Sequence, residues 1–206
     1  MRDHEERLED RTIGDYLDTL ASSAPAPGGG SVAGLIGALS AALGEMVISL
    51  TRDTEPSLEE AAGKLRAFRS SAMASSAADE MAYSSFVEAS RMSKETGEDK
   101  ARRTATMQEA LEEAAAVPLE LAGTAIQLLE HFEPVVRLGS KHVLSDVATA
   151  ITLAVACVDC SLINVRVNLP MMKNIEVAGS LRGKAQKVEQ QAHALAEELR
   201  DELNKR

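Results

Sequence analysis

Tryptophan is absent from this chain of 206 residues, and three Phe and two Tyr leave aromatics at 2%. So few aromatic faces exclude the stacking platforms that hold single-stranded nucleic acid. Positive charge is also short: 22 Lys and Arg stand against 32 Asp and Glu, a formal net charge of −10. A broad nucleic-acid surface needs the opposite balance, so no nucleic-acid partner is expected. Two Cys cannot build a disulfide framework, which points to a reducing, cytoplasmic setting. The mostly charged start, Met1 to Arg11, has no apolar run behind a basic end, so no signal peptide is expected. Residues 32–50 carry a single charge, Glu45, and approach the length of a membrane span. They are rich in Gly, Ala and Ser, and neither a basic cluster nor an aromatic belt flanks them. A buried helix of a soluble protein is expected there, with no membrane partner.

What is present is Ala and aliphatic side chains, which keep the apolar fraction at 45%. Such a core suits helices better than strands. Thr12 and Asp15 have capping-box spacing for a short helix. A loop rich in Pro and Gly, residues 21–30, follows, and Ser31 is expected to cap a helix reaching about Leu50. Pro56 and the segment Ser57-Leu-Glu-Glu60 start another, extending to about Ser93. A third spans about 98–132, kinked or split by Pro118, with residues 133–139 as a connector. A fourth begins near Ser140 and reaches Val165 or beyond. The last covers about 180–204. Residues 162–169 alternate in a way that also suits a strand; with no partner strand in view, they are expected to be helical or extended. The expected fold is all-α: one domain, residues 1–206, of long antiparallel helices in a bundle.

Gly30, Gly34, Gly37, Ala41 and Gly44 share one helix face. Each Gly costs about 1 kcal/mol of helix propensity relative to Ala. Close packing, inside the chain or across a dimer, is the expected compensation.

Several polar groups are placed where they need a task. Gly28, Gly29, Gly30 and Ser31 form a glycine-rich turn into a helix start, a source of free N–H groups. It lacks both the Walker pattern and a preceding strand. Asp79 has Tyr83 four and Phe86 seven residues on, so it lies beside an apolar stripe where a carboxyl would titrate high. Glu80, one residue on, is expected to point elsewhere. Asp146 leads into an uncharged run, and His142 is placed to pair with it. Asn164 and Asn168, four apart in an apolar segment, either bind a ligand or tie down backbone. Asp146 and Asn164 are 18 residues apart. On one unbroken helix they share a face but lie about 27 Å apart. They serve one ligand only if it is long, or if an antiparallel partner brings opposite ends together. Cys157-Val-Asp-Cys160 lacks the context of a redox or zinc motif and reads as core thiols. No metal site is expected.

Taken together, these motifs resemble the cyclodeaminase/cyclohydrolase family of folate enzymes. The resemblance rests on Pro27-Gly-Gly-Gly-Ser31, Leu50-Thr51-Arg52, Asp79 with Ala82-Tyr83, Ala116-Val-Pro118-Leu, Gly139, Ser145-Asp146 and Asn164-Val-Arg-Val-Asn168-Leu169. It implies an all-helical homodimer that binds a tetrahydrofolate derivative as substrate, with no tightly bound cofactor. It further implies Asp79 and Asp146 as catalytic residues, and Gly28, Gly29, Gly30, Ser31, Thr51, Arg52, Asn164 and Asn168 as substrate-binding ones. The implied reaction forms the 5,10-methenyl bridge from 5-formiminotetrahydrofolate with loss of ammonia. The alternatives are hydrolysis of that bridge, or a non-catalytic dimer that binds folate or a partner protein. Two positions depart from the family pattern: Ser140 where many members have Asn, and Ala77 where some have a second Asp.

Overall fold

A computed structural model describes residues 10–52 and 55–206. The charged start discussed above lies almost wholly outside the described residues. Among the described residues six α-helices follow one another: α1 (Ile13–Leu20), α2 (Gly29–Ser49), α3 (Pro56–Arg91), α4 (Gly97–Leu138), α5 (Leu144–Asn168) and α6 (Ile175–Asn204). No strand occurs among the described residues, and residues 162–169 are helical almost throughout.

Helices α2 to α5 form a four-membered ring in which each packs against its two neighbours. Ring neighbours run antiparallel. For α2 and α5 this appears as Gly29 beside Asn164, Gly37 beside Cys157, and Ser40 Oγ donating to the Ala150 carbonyl at 2.7 Å. Helix α6 covers the outside of α4 and α5. It runs parallel to α4, since Arg206 at its end reaches the carbonyls of Val136 and Gly139. The buried side chains of α2 to α6 merge into one apolar core around Leu65, Phe132, Ile151 and Leu162.

Local chemistry explains most boundaries. Thr12 caps α1 through the Asp15 N–H, and a full capping box of Thr96 and Asp99 opens α4. Pro56 occupies the first turn of α3, where its missing N–H costs nothing. Asn174, not Ser180, starts α6, because its side chain accepts from the N–H groups of Glu176 and Val177. Ser31 is not a cap. Gly28 holds that position, and Ser31 lies inside the first turn with its side chain fully buried. Pro118 does not split α4, and the expected connector at 133–139 is mostly helix, with Pro134 inside it. Pro118 is buried against neighbouring helices, and that packing outweighs one lost backbone hydrogen bond.

The small-residue stripe faces inward. A β-carbon on Gly34 would stand 2.6 Å from the Ala72 carbonyl oxygen, one on Gly37 2.8 Å from Cys157 Sγ, and one on Gly44 2.6 Å from Phe132 Cε1. The glycines therefore let α2 approach α3, α4 and α5 closely. The opposite face of α2, with Leu39, Met46 and Leu50, stays exposed. It adjoins the outer face of α5, where Ile163 and Val167 are each 62% exposed. Both α2 and the span Lys141–Met171 are long and apolar enough to cross a membrane, yet about half of each is buried inside the bundle.

Candidate functional site

At one end of the ring, the N-terminus of α2 meets the middle of α3 and the C-terminus of α5 around a cavity of about 380 Å³. Six of the ten expected site residues gather near it. Gly28, Gly29, Gly30, Asp79, Asn164 and Asn168 all line it, joined by Glu80, Tyr83, Phe86 and Met171. Ser31 sits just behind this wall.

Asp79 reaches the cavity because α2 begins with glycines. Its carboxyl occupies the space that a side chain at position 30 would fill. Burial raises its pKa above the usual aspartate range, the neighbouring Glu80 adds to the rise, and the Ser31 backbone N–H opposes it. Asp79 is thus an acid whose proton is held unusually long, inside a partly apolar cavity.

Of the two alternatives set out for the asparagines, the structure shows the tying down of backbone, and it also places both side chains on the cavity wall. Asn164 Nδ2 donates to the Cys160 carbonyl at 2.8 Å, and Asn168 Nδ2 donates to the carbonyls of Ala114 and Asn164, both at 3.0 Å. The amide nitrogens tie down backbone, while both side chains line the cavity. The carbonyl oxygens find no protein donor among the described residues and remain available to a ligand with N–H groups.

Glu80 was expected to point elsewhere, and it does not. Residues 79 and 80 project about 100° apart on α3. The start of α2 meets both of them, Gly30 packing on Asp79 and Ser31 on Glu80. Ser31 Oγ donates to Glu80 Oε1 at 2.9 Å. No sequence spacing signals this, because it depends on how the N-terminal segment folds over α3. Ala77 is exposed and does not line the cavity.

Thr51, Arg52 and Asp146 lie at the other end. Thr51 Oγ1 donates to the Val47 carbonyl at 2.8 Å and accepts from the Ser140 N–H at 3.0 Å, pinning the α4–α5 turn. Arg52 is exposed. Asp146 is half-buried in the first turn of α5, where its charge suits the helix dipole. No ion pair joins it to His142 among the described residues. Helix α5 is unbroken between Asp146 and Asn164, so the separation of about 27 Å holds. Within one chain these residues form two clusters, not one.

Cys157 is buried, its thiol pushed up to about 12 by burial, and Cys160 is raised for the same reason. Both are free thiols of the core and its edge.

A family profile described as formiminotransferase-cyclodeaminase matches residues 12–187. The chain belongs to the formiminotransferase-cyclodeaminase family. The matched span holds the whole cavity and the Thr51–Asp146 end. Among relatives, a methenyltetrahydrofolate cyclohydrolase of Methylorubrum extorquens is 37% identical over 163 residues, covering 76% of this chain and 78% of that protein. The formimidoyltransferase-cyclodeaminase of Mus musculus is 32% identical over 181 residues, covering 82% of this chain. The match takes in only 32% of the mouse protein. In fold, the chain is similar to a formiminotetrahydrofolate cyclodeaminase from Thermotoga maritima, with a TM-score of 0.85 over 95% of this chain and 97% of that one, at 24% identity.

Proposed function

We propose that this protein is a folate-dependent one-carbon enzyme that converts 5-formiminotetrahydrofolate to 5,10-methenyltetrahydrofolate and ammonia. The observation that carries this reading is a half-buried, proton-retaining Asp79 beside two open asparagine oxygens, in a chain of this family.

In this reaction N10 attacks the formimino carbon. The N10–C bond forms, a five-membered ring closes, and the bond from that carbon to the departing nitrogen breaks. N10 gives up a proton and the leaving nitrogen takes one. The reacting atoms already belong to one molecule, so the enzyme fixes conformation and moves protons. Asp79 carries the proton between the two nitrogens. Asn164 and Asn168 accept from N–H groups of the folate, and Gly28 to Gly30 let it approach the start of α2 closely.

Asp146, Thr51 and Arg52 join the same site across a homodimer. Exposed apolar residues on the outer faces of α2 and α5, Leu39 and Met46 on one and Ile163 and Val167 on the other, support this assembly, since such a patch is usually covered. A two-fold axis crossing the middle of α2 sets the Asp79 end of one chain beside the Thr51–Asp146 end of its partner. An elongated folate lying between them then meets both clusters. Free Cys157 and Cys160 suit a reducing, cytoplasmic setting.

A second reading uses the same pocket. Water attacks the methenyl carbon, Asp79 acts as general base, and the bridge opens. The 37% identity to a cyclohydrolase of similar extent favours it. Two cuvettes decide, one with enzymatically prepared 5-formiminotetrahydrofolate and one with 5,10-methenyltetrahydrofolate. Rising methenyl absorbance with ammonia release establishes the deaminase, and accelerated loss alone establishes the cyclohydrolase. No rate above background in either contradicts both.

A further inference from the structure

The segment before α2 is held to the bundle at few points. Tyr16, 3% exposed, is the one buried residue of α1, while Ile13 and Leu17 on the same helix are 78% and 52% exposed. Of residues 17–28, only Pro27 is buried. Pro25, Ala26 and Gly28 nevertheless form part of the cavity wall. Among the described residues, 25–28 make a single hydrogen bond, in which the Gly28 carbonyl accepts from the Val32 N–H of α2. This wall owes its place to Pro27 and to the anchors at its two ends: Tyr16 before it and the first turn of α2 after it.

Those two anchors are joined to each other. The Tyr16 hydroxyl lies 3.1 Å from Ser31 Oγ, in the first turn of α2. Ser76 Oγ of α3 lies 2.8 Å from Ser31 Oγ and donates to the Ser31 carbonyl at 2.7 Å. Ser31 and Ser76 are fully buried, so a hydroxyl lost from this cluster is not simply replaced by bulk water. The Tyr16 ring supplies apolar burial, and its hydroxyl supplies the bond that ties α1 to the start of α2. Tyr16, Ser31 and Ser76 do not themselves line the cavity.

We infer that residues 12–28 form a strap along the edge of the cavity and that Tyr16 is its latch, a positioning residue whose hydroxyl, seated on Ser31, holds Pro25 and Ala26 in the wall that receives the ligand. The identity of that ligand rests on the proposed folate reading; the latch rests on the bonding alone. With the hydroxyl gone, the strap spends part of its time displaced, and the apparent affinity falls by the fraction of molecules whose wall is in place. Bound ligand restores the wall. The acid at the reacting centre stays where it is, because Ser31 keeps its bond from Ser76 and Gly30 stays packed on Asp79. The latch therefore governs KM rather than kcat.

Tyr16→Phe tests this, since it keeps the ring and removes only the hydroxyl. Hydrogen exchange of the unliganded full chain comes first. Faster exchange is expected in peptides covering residues 17–28, with α4 and α5 unchanged. Exchange that stays native-like in the folded variant overturns the latch. Steady-state kinetics follow, on whichever folate the native protein turns over. KM is expected to rise roughly 3–10-fold, the effect of one lost buried hydrogen bond, with kcat kept within about 2-fold. A fall in kcat at unchanged KM is what general structural damage produces, and it overturns the positioning role. Leu17→Ser alters the exposed face of the same helix and should keep the native KM. A rise there equal to that of Tyr16→Phe overturns the assignment to the hydroxyl. Absence of turnover by the native protein on either folate contradicts the functional reading, and the exchange measurement still decides the latch.

Discussion

A β-carbon placed on Gly30 would stand 2.0 Å from Asp79 Oδ1 and 2.1 Å from its Cγ. The first turn of α2 and the carboxyl of α3 therefore share one volume, and glycine at position 30 makes room for the acid. Gly30→Ala is expected to displace the Asp79 carboxyl while leaving the bundle folded, because the atoms in the way are the end of a side chain. Misplacement of a reacting group by about 1 Å costs on the order of 10²-fold in rate. Turnover of the variant should fall by about that factor, with a melting temperature near that of the native protein.

Asp79 also sets a pH dependence of stability. Its folded pKa lies above the unfolded one, mainly through burial. The favourable contribution of the protonated acid is complete below the unfolded pKa and is lost as pH rises through the folded one. Asp79→Asn should therefore melt at a higher temperature than the native protein at neutral pH. The difference should shrink as pH falls below the folded midpoint toward the ordinary aspartate range. Thermal melts of both proteins across that window check the sign.

Farther along α2, Gly44 serves packing alone. A β-carbon there would meet Phe132 Cε1 at 2.6 Å and Leu65 Cδ1 at 2.8 Å, deep in the core and away from the cavity. Gly44→Ala should destabilise the fold by about 1–3 kcal/mol through overpacking. Specific activity of the folded fraction should be retained. Chemical denaturation and turnover of the same preparation separate the two effects.

The outer faces of α2 and α5 are expected to pair with a second copy. Leu39→Glu together with Ile163→Glu puts charge on two residues that are 50% and 62% exposed in the single chain. The chain should stay folded and sediment as a monomer, and turnover should drop with the loss of the shared site. A native protein that sediments as a monomer at micromolar concentration contradicts the paired-site assembly.

Much of this was legible in the residues. The helical class followed from the scarcity of aromatics and the Ala-rich apolar content. The caps at Thr12 and the proline start at Pro56 were readable because they depend on near neighbours only. Gly30, Asp79, Asn164 and Asn168 each stand out as a residue type that needs a reason at its position, and the structure places all four on one cavity. Ser31 and Glu80 were misjudged for a shared cause. Their bond links residues 49 apart, and only the path of the N-terminal segment over α3 brings them together. The connector expected at 133–139 is helix for another reason: Val135 and Val136 are fully buried, and their packing carries α4 through Pro134. The distance between Asp146 and Asn164 was derivable from helix rise alone, because it requires nothing beyond an unbroken helix.

The claim that Asp79 moves the proton is tested most directly by comparing the native protein with Asp79→Asn on both folates, together with folate binding by each. Loss of a general acid–base group is expected to cost about 10²–10⁴-fold. The account predicts methenyl turnover by the native protein, a loss of that size in Asp79→Asn, and retained folate binding. Full turnover by folded Asp79→Asn would contradict it.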